Sequence, residues 1–350
     1  MSARIYSAMA ITALLLAATS VPTAQADESA PVTIKFATLA PEGTVWVKSM
    51  READRIVQER SGGRVKFKVF AGGVSGDEKD MVRKMRLGQL SAAGITGIGL
   101  AEILPSIHVL DLPFMFASNE EVDYVLDKVQ KSFEQRFLDK GFVLLGFTEA
   151  GFVHFFSNIE IKSQQDFANP AVKAWSWEGD LLSEELYRAF GVNPVPLALP
   201  DVLTQLQTGM INTTYAPPAG AVALQWHSRL KYVSGIPLAW GSGGVVVSNA
   251  IWNKLTPELQ AIVREEAGKL CVKLRTLTRE DNRNALVALQ GQGMTVIAPP
   301  SKEQLADYLK TALDVRQKLV GKLYSQQELD EVLSARDAFR AQQGAATAAS

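Results

Sequence analysis

Apolar and polar positions change period repeatedly along the chain. Val32 to Ala37 (VTIKFA) alternates as a strand does, and Pro41-Glu42-Gly43 then opens a helix whose Val45, Trp46, Met50, Ala53, Ile56 and Val57 share one face. Gly62-Gly63 ends that helix. From Arg64 to Phe70 (RVKFKVF) strict alternation returns, with Val65, Phe67 and Val69 facing inward and Arg64, Lys66 and Lys68 outward. Strand, helix and strand in succession predict a parallel α/β sheet. The pattern continues with a helix over Asp77 to Met85 before Gly88, a strand over Leu90 to Thr96, a longer helix over Val122 to Leu138 and a buried strand over Phe142 to Phe147.

A second unit is expected to start after Gly151, with a strand at FVHFFS, a helix over Asp180 to Phe190, the stretch VNPVPLALP and a helix through Asp201 to Leu206 before Gly209. Thr256 and Pro257 make a strong helix start, an N-cap followed by proline in the first turn. The helical pattern then runs unbroken to about Gln290, with Leu259, Ile262, Val263, Leu270, Leu274 and Leu277 on its apolar side. Roughly 35 residues at about 1.5 Å each give about 50 Å, longer than one small domain, so this helix is expected to brace two lobes. Ser301 and Ser325 read as N-caps of two further helices, and residues 341–350 as a disordered tail. The expected division is lobe I from 27–150 plus 238–280 and lobe II from 151–237 plus 281–340. No internal repeat stands out.

Composition narrows the class. The chain has 350 residues, 47% of them hydrophobic, which argues against a disordered or collagen-like chain and suits two lobes with a cleft between them. With 36 basic against 37 acidic residues there is no electrostatic footprint for nucleic acid or an anionic membrane, and neither is expected as a partner. Residues 1–26 carry Arg4, an apolar run from Ala8 through Ala18 and the small-residue end Ala24-Gln25-Ala26, the layout of a cleaved signal peptide. The apolar run is short for a membrane span, which needs about 20 residues, so the mature protein is expected in the periplasm as a soluble protein. Cys271 is the sole cysteine and sits among apolar neighbours in GKLCVKL, so it reads as a buried small hydrophobe.

Chemistry is scarce in the sequence. His108, His154 and His227 show no metal-ligand spacing, and there is no G-x-S-x-G elbow, P-loop or G-x-G-x-x-G, so neither metal nor cofactor is expected. The acidic pairs Asp77/Glu78 and Glu184/Glu185 read as solvated helix charges. Aromatic placement is the more informative feature. Trp175 and Trp177 flank Ser176, Tyr215 precedes Ala216-Pro217-Pro218, and Trp240 precedes a glycine-rich stretch. Aromatic side chains next to proline and glycine turns line clefts or simply pack cores, and composition leaves both open.

Five blocks in one order resemble the DctP-type solute-binding subunits of tripartite ATP-independent periplasmic (TRAP) transporters. They are RSGGRVKFKVF (60–70), VLDLPFMFAS (109–118), KGFVLLGFTEAGFVHFFSN (140–158), VNPVPLALPDVLTQLQTGMIN (192–212) and WNKLTPELQAIV (252–263). The resemblance implies a two-lobe periplasmic binding protein fold with crossing strands, an interlobe cleft that closes by hinge motion, a long helix bracing both lobes, and a chain that works as a monomer. It also exposes departures. Where most members carry a carboxylate-gripping arginine in K-I-R-V, this chain reads Lys173-Ala-Trp175-Ser; where G-x-R is common it has Gly151-Phe-Val153; and where D-G-Q-E-N-P is common it has Asn212-Thr-Thr-Tyr215-Ala216-Pro217.

Burying a carboxylate with neither cation nor donors costs several kcal/mol, so a small dicarboxylate or sugar acid is not the expected ligand. An apolar ligand burying about 200 Å² would gain roughly 5 kcal/mol gross in an aromatic cleft. The expected function is therefore a non-enzymatic solute-binding protein that captures a hydrophobic or aromatic, weakly polar ligand and delivers it to TRAP membrane subunits. The alternatives are a carrier or sensing subunit for lipid-like molecules, working with a periplasmic helical-repeat partner, and a secreted hydrolase using Asp or Glu. Expected ligand residues are Trp175, Trp177, Val153, Tyr215, Ala216 and Trp240, with Leu39 and Thr96 from the first lobe and Asp201 as a polar contact or cap.

Overall fold

The computed structural model describes residues 31–349, so the expected signal peptide lies outside the described residues. The chain opens β1 (Val32–Thr38), α1 (Val45–Arg60), β2 (Val65–Phe70), with β1 and β2 parallel and paired from Val32↔Val65 to Ala37↔Phe70. Thr44 Oγ1 caps α1 by accepting from Val47 N, and Gly62 and Gly63 leave the helix at positive φ, where glycine costs nothing sterically. Next come α2 (Glu78–Arg86), β3 (Ala92–Thr96), α3 (Gly97–Ala101) and α4 (Asn119–Asp139). β3 lies parallel to β1 on its other side, as the crossover pattern requires.

The expected break after Gly151 is not where a strand ends. β4 (Phe142–Ser157) runs unbroken through it for 16 residues. It continues because both of its halves find partners. Phe142 to Val153 pairs antiparallel with β9, and His154 to Ser157 pairs with β7 and, at its end, β8. A register shift between Glu149 and Gly151, with Gly151 at φ +96°, bends the strand at the boundary expected between the lobes.

The chain then forms β5 (Trp175–Trp177), α5 (Leu181–Ala189), β6 (Val195–Leu197), α6 (Val202–Thr208), β7 (Thr213–Ala216), α7 (Pro218–Ala223), β8 (Tyr232–Val233) and β9 (Ala239–Ser248). It ends with α8 (Asn249–Trp252), α9 (Pro257–Gly291), β10 (Thr295–Val296), α10 (Lys302–Leu319) and α11 (Gln326–Ala349). The main sheet has the order β10-β8-β4-β9-β3-β1-β2, with β7 also on β4; β5 and β6 form a separate parallel pair.

The long helix behaves as its pattern predicts. Thr256 caps α9, and Leu259, Val263, Leu270 and Leu274 pack with Ile34, Phe36 and Val245 on the β1–β3 side of the sheet. Leu289 joins the other core, with Phe156, Trp175, Val202 and Trp226. One helix therefore serves both lobes. Cys271 is buried within the first of these cores, and burial pushes its thiol up to about 12.

Two expectations are overturned here. Residues 341–349 are helical rather than disordered, because α11 is already held on α4 by Arg340 on Glu121 (2.5 Å) and by Phe339 against Tyr124, and alanines propagate it. Glu185 is not a solvated charge either; it is buried and paired with Lys318 of α10, which holds its carboxyl below the usual range. Among the described residues no helix is long and apolar enough to cross a membrane.

Candidate functional site

Where the two arms of β4 diverge, the strand ends, α5 and α7 enclose a cavity of about 360 Å³. Eight of the nine expected residues line it: Leu39, Thr96, Val153, Trp175, Trp177, Tyr215, Ala216 and Trp240. Asp201 does not. It lies exposed in a 3₁₀ turn ahead of α6 at φ −86° and ψ −17°, already helical, and a side chain there does not fold back to cap the helix.

One corner of the cavity is aromatic. The ring of Trp175 stacks on Tyr215 at 5.0 Å with 22° between planes, meets Trp177 at 5.2 Å and stands edge-on to Trp226 at 5.2 Å. The Trp175 indole donates to Leu197 O (3.0 Å) and that of Trp177 to Asp77 Oδ2 (3.1 Å), a bond that spans from β5 to the start of α2. The three departures from the family pattern converge here. Ala216 sits opposite His154 across β4 and β7, one residue from Val153, and Trp175 covers Tyr215 beside them. Trp175 is 1% and Trp240 0% exposed, so each is core and cavity wall together, and neither of the two readings of the aromatics excludes the other.

The opposite wall is polar, and sequence reasoning missed most of it. Glu78, expected in solvent, is 1% exposed and accepts from Thr96 N (2.9 Å), Thr96 Oγ1 (2.7 Å) and Gly99 N (2.7 Å). Burial drives its carboxyl up to about 7 against those three donors. Its neighbour Asp77 caps α2, which turns residue 78 inward beneath β3; a Cβ at Gly99 would meet Glu78 Oε2 at 2.9 Å. A chain of polar groups then crosses the cavity. Ser242 N donates to Asp111 Oδ1 (2.7 Å), His108 Nδ1 faces Asp111 Oδ2 (3.2 Å), His108 Nε2 faces Asp180 Oδ1 (3.7 Å), and Tyr215 Oη approaches Asp180 Oδ2 (3.5 Å). Burial opposes charging of His108, but the Asp111 bond and the charges of Asp180, Asp111 and Glu102 outweigh it and raise its pKa. The Asp180 N-cap of α5 was legible as a helix start, yet nothing in the spacing connects it with His108.

No lysine or arginine lines the cavity among the described residues. Lys173 is exposed with Nζ donating to Gly209 O (3.1 Å), and Arg188 pairs with Glu184 (2.9 Å) on the outside of α5. Arg279 comes nearest in role. It sits behind the buried Glu149 and binds both it (2.8 Å) and Asp123 (2.7 Å), so its charge is spent inside the protein. Lining carboxylates are Glu78, Asp111, Glu149, Asp180 and the exposed Asp281, with His108 the sole titratable base among the lining residues.

Comparison with known proteins identifies this architecture. The DctP model, described as bacterial extracellular solute-binding protein, family 7, matches residues 36–319, and the chain belongs to that family. It is 24% identical over 256 residues to the 2,3-diketo-L-gulonate-binding periplasmic protein YiaO of Escherichia coli, covering 73% of this chain and 77% of that one. It is 22% identical over 296 residues to the C4-dicarboxylate-binding periplasmic protein DctP of Rhodobacter capsulatus, covering 84% and 88% respectively. The sugar acid binding protein DctPAm of Advenella mimigardefordensis, solved in complex with galactonate, superposes with a TM-score of 0.82 at 20% identity, over 88% of this chain and 99% of that one, which shows the fold. The protein is thus a two-lobe TRAP-type periplasmic solute-binding protein, and its relatives are binding proteins of transporters, not enzymes.

Proposed function

We propose that this solute-binding protein captures a hydrophobic or aromatic, weakly polar ligand in the cavity and hands it to TRAP membrane subunits, departing from the sugar-acid and dicarboxylate binding named for its relatives. The observation that carries this reading is a lining of tryptophan, tyrosine and aliphatic side chains, among the described residues without one lysine or arginine. A carboxylate seated against Asp111 and Asp180 would be repelled as well as desolvated. Ligand residues under this reading are Trp175, Trp177, Val153, Tyr215, Ala216, Trp240, Leu39 and Thr96; Asp201 is withdrawn because its side chain lies outside the cavity. The lobes would close about the bend in β4, with the boundary near residue 150.

Mass spectrometry of molecules that co-purify with the exported protein, native and after organic extraction, tests the reading. A bound hydrophobic or aromatic compound is the expected result. A bound sugar acid or dicarboxylate would overturn it and require a cation to reach the cavity in the liganded state.

A further inference from the structure

The charge of the cavity carries more than the exclusion of anions. We infer that the polar end of the ligand is a positively charged amine, held between the aromatic corner and the carboxylates around His108. This rests on the cavity being the ligand site.

Three independent features of the cavity agree. Charge comes first. Asp111 and Asp180 share the single imidazole of His108, so that group keeps net negative charge even with His108 protonated. Glu149 is answered by Arg279, and Lys79, whose Nζ lies beside Gly179, is outside the lining and faces Glu102 (3.7 Å). The second feature is aromatic. Trp175 stacks on Tyr215 at 5.0 Å and meets the tilted ring of Trp177 at 5.2 Å, and the negative faces of such rings attract an ammonium that has shed water. The third is a pair of hydroxyls without partners. Tyr187 is 1% and Ser242 0% exposed, both line the cavity, and among the described residues neither Oη nor Oγ has a hydrogen-bond partner. Buried hydroxyls left unpaired are costly, and each can accept from an ammonium N–H. The bare Gly97 keeps this place open, since a Cβ there would lie 2.3 Å from Asp111 Oδ2 and 2.6 Å from Ser242 Oγ.

The test is calorimetric titration of the ligand-free protein with matched probes: tryptamine, tryptophol and indoleacetate, and then benzylammonium, benzyl alcohol and benzoate. The ammonium of each set should bind about tenfold more tightly than the alcohol, and the carboxylate should not bind. Asp180→Asn, in which asparagine still caps α5, and Asp111→Asn, which still accepts from Ser242 N, should each erase most of that preference, bringing the ammonium and alcohol of each set to within about twofold of each other. Circular dichroism and the thermal midpoint of each variant, measured without ligand, show that it is folded. Equal affinity for ammonium and alcohol, no binding of either ammonium, or a preference surviving in both variants overturns the amine. Equal affinity with the carboxylates excluded leaves the apolar-ligand reading standing; tightest binding of the carboxylates sinks both.

Discussion

Glu78 shows what one residue's neighbours decide. An Asp-Glu pair at the start of an amphipathic helix reads as solvent-facing charge, yet Asp77 takes the cap and Glu78 turns under β3, where burial raises its carboxyl from 4.5 to about 7. Because the folded protein holds this proton more tightly than the unfolded chain, stability is full below the ordinary value and falls as pH rises from 4.5 toward 7, then levels. Urea unfolding of the native protein and of Glu78→Gln from acid to neutral pH should differ by a term that changes by up to about 3 kcal/mol across that window and is flat above it. A difference independent of pH would show that the carboxyl ionises normally. Trp175 carries the same lesson for the aromatics. As a fully buried ring its removal would cost about 3–5 kcal/mol in stability, so the partly exposed Trp177 is the cleaner probe of binding.

Among elements, the long helix was the most legible and the crossing strand the least. α9 declares itself by its Thr256-Pro257 start and sustained apolar face, because both signals are local. β4 read as two strands, since the glycine at 151 looks like a break until its partners β7, β8 and β9 are known; pairing on both sides keeps a bent strand whole. α9 also locks that strand through Arg279, which joins Glu149 of β4 to Asp123 of α4. Arg279→Met should destabilise the fold by about 3–5 kcal/mol by leaving Glu149 buried and unpaired, and adding Glu149→Gln should restore part of the loss. Unfolding free energies of the single and double variants measure this, and additive losses would contradict it.

At the scale of the molecule, the cavity is closed by bonds between elements far apart in sequence. Trp177 Nε1 reaches Asp77 Oδ2, and His108 faces Asp180. Trp177→Phe keeps a ring in place and deletes the first bond, so it should weaken ligand binding several-fold, about 1 kcal/mol, with a smaller change in the thermal midpoint of the ligand-free protein. Equal binding by titration calorimetry would remove that bond from closure. The opening strand-helix-strand succession, the bracing helix, the family resemblance and most of the apolar and aromatic residues of the cavity wall were legible in the sequence, because period, caps and motif blocks are properties of neighbouring residues; β9, central in the sheet, was not, because its glycine-rich start shows no period until its partners β3 and β4 are known. Only the tertiary structure decided that Glu78, His108, Asp111 and Asp180 face that wall, that Asp201 does not, and that no arginine among the described residues enters the cavity. The charge of a cavity is a sum over residues that the chain brings together only by folding.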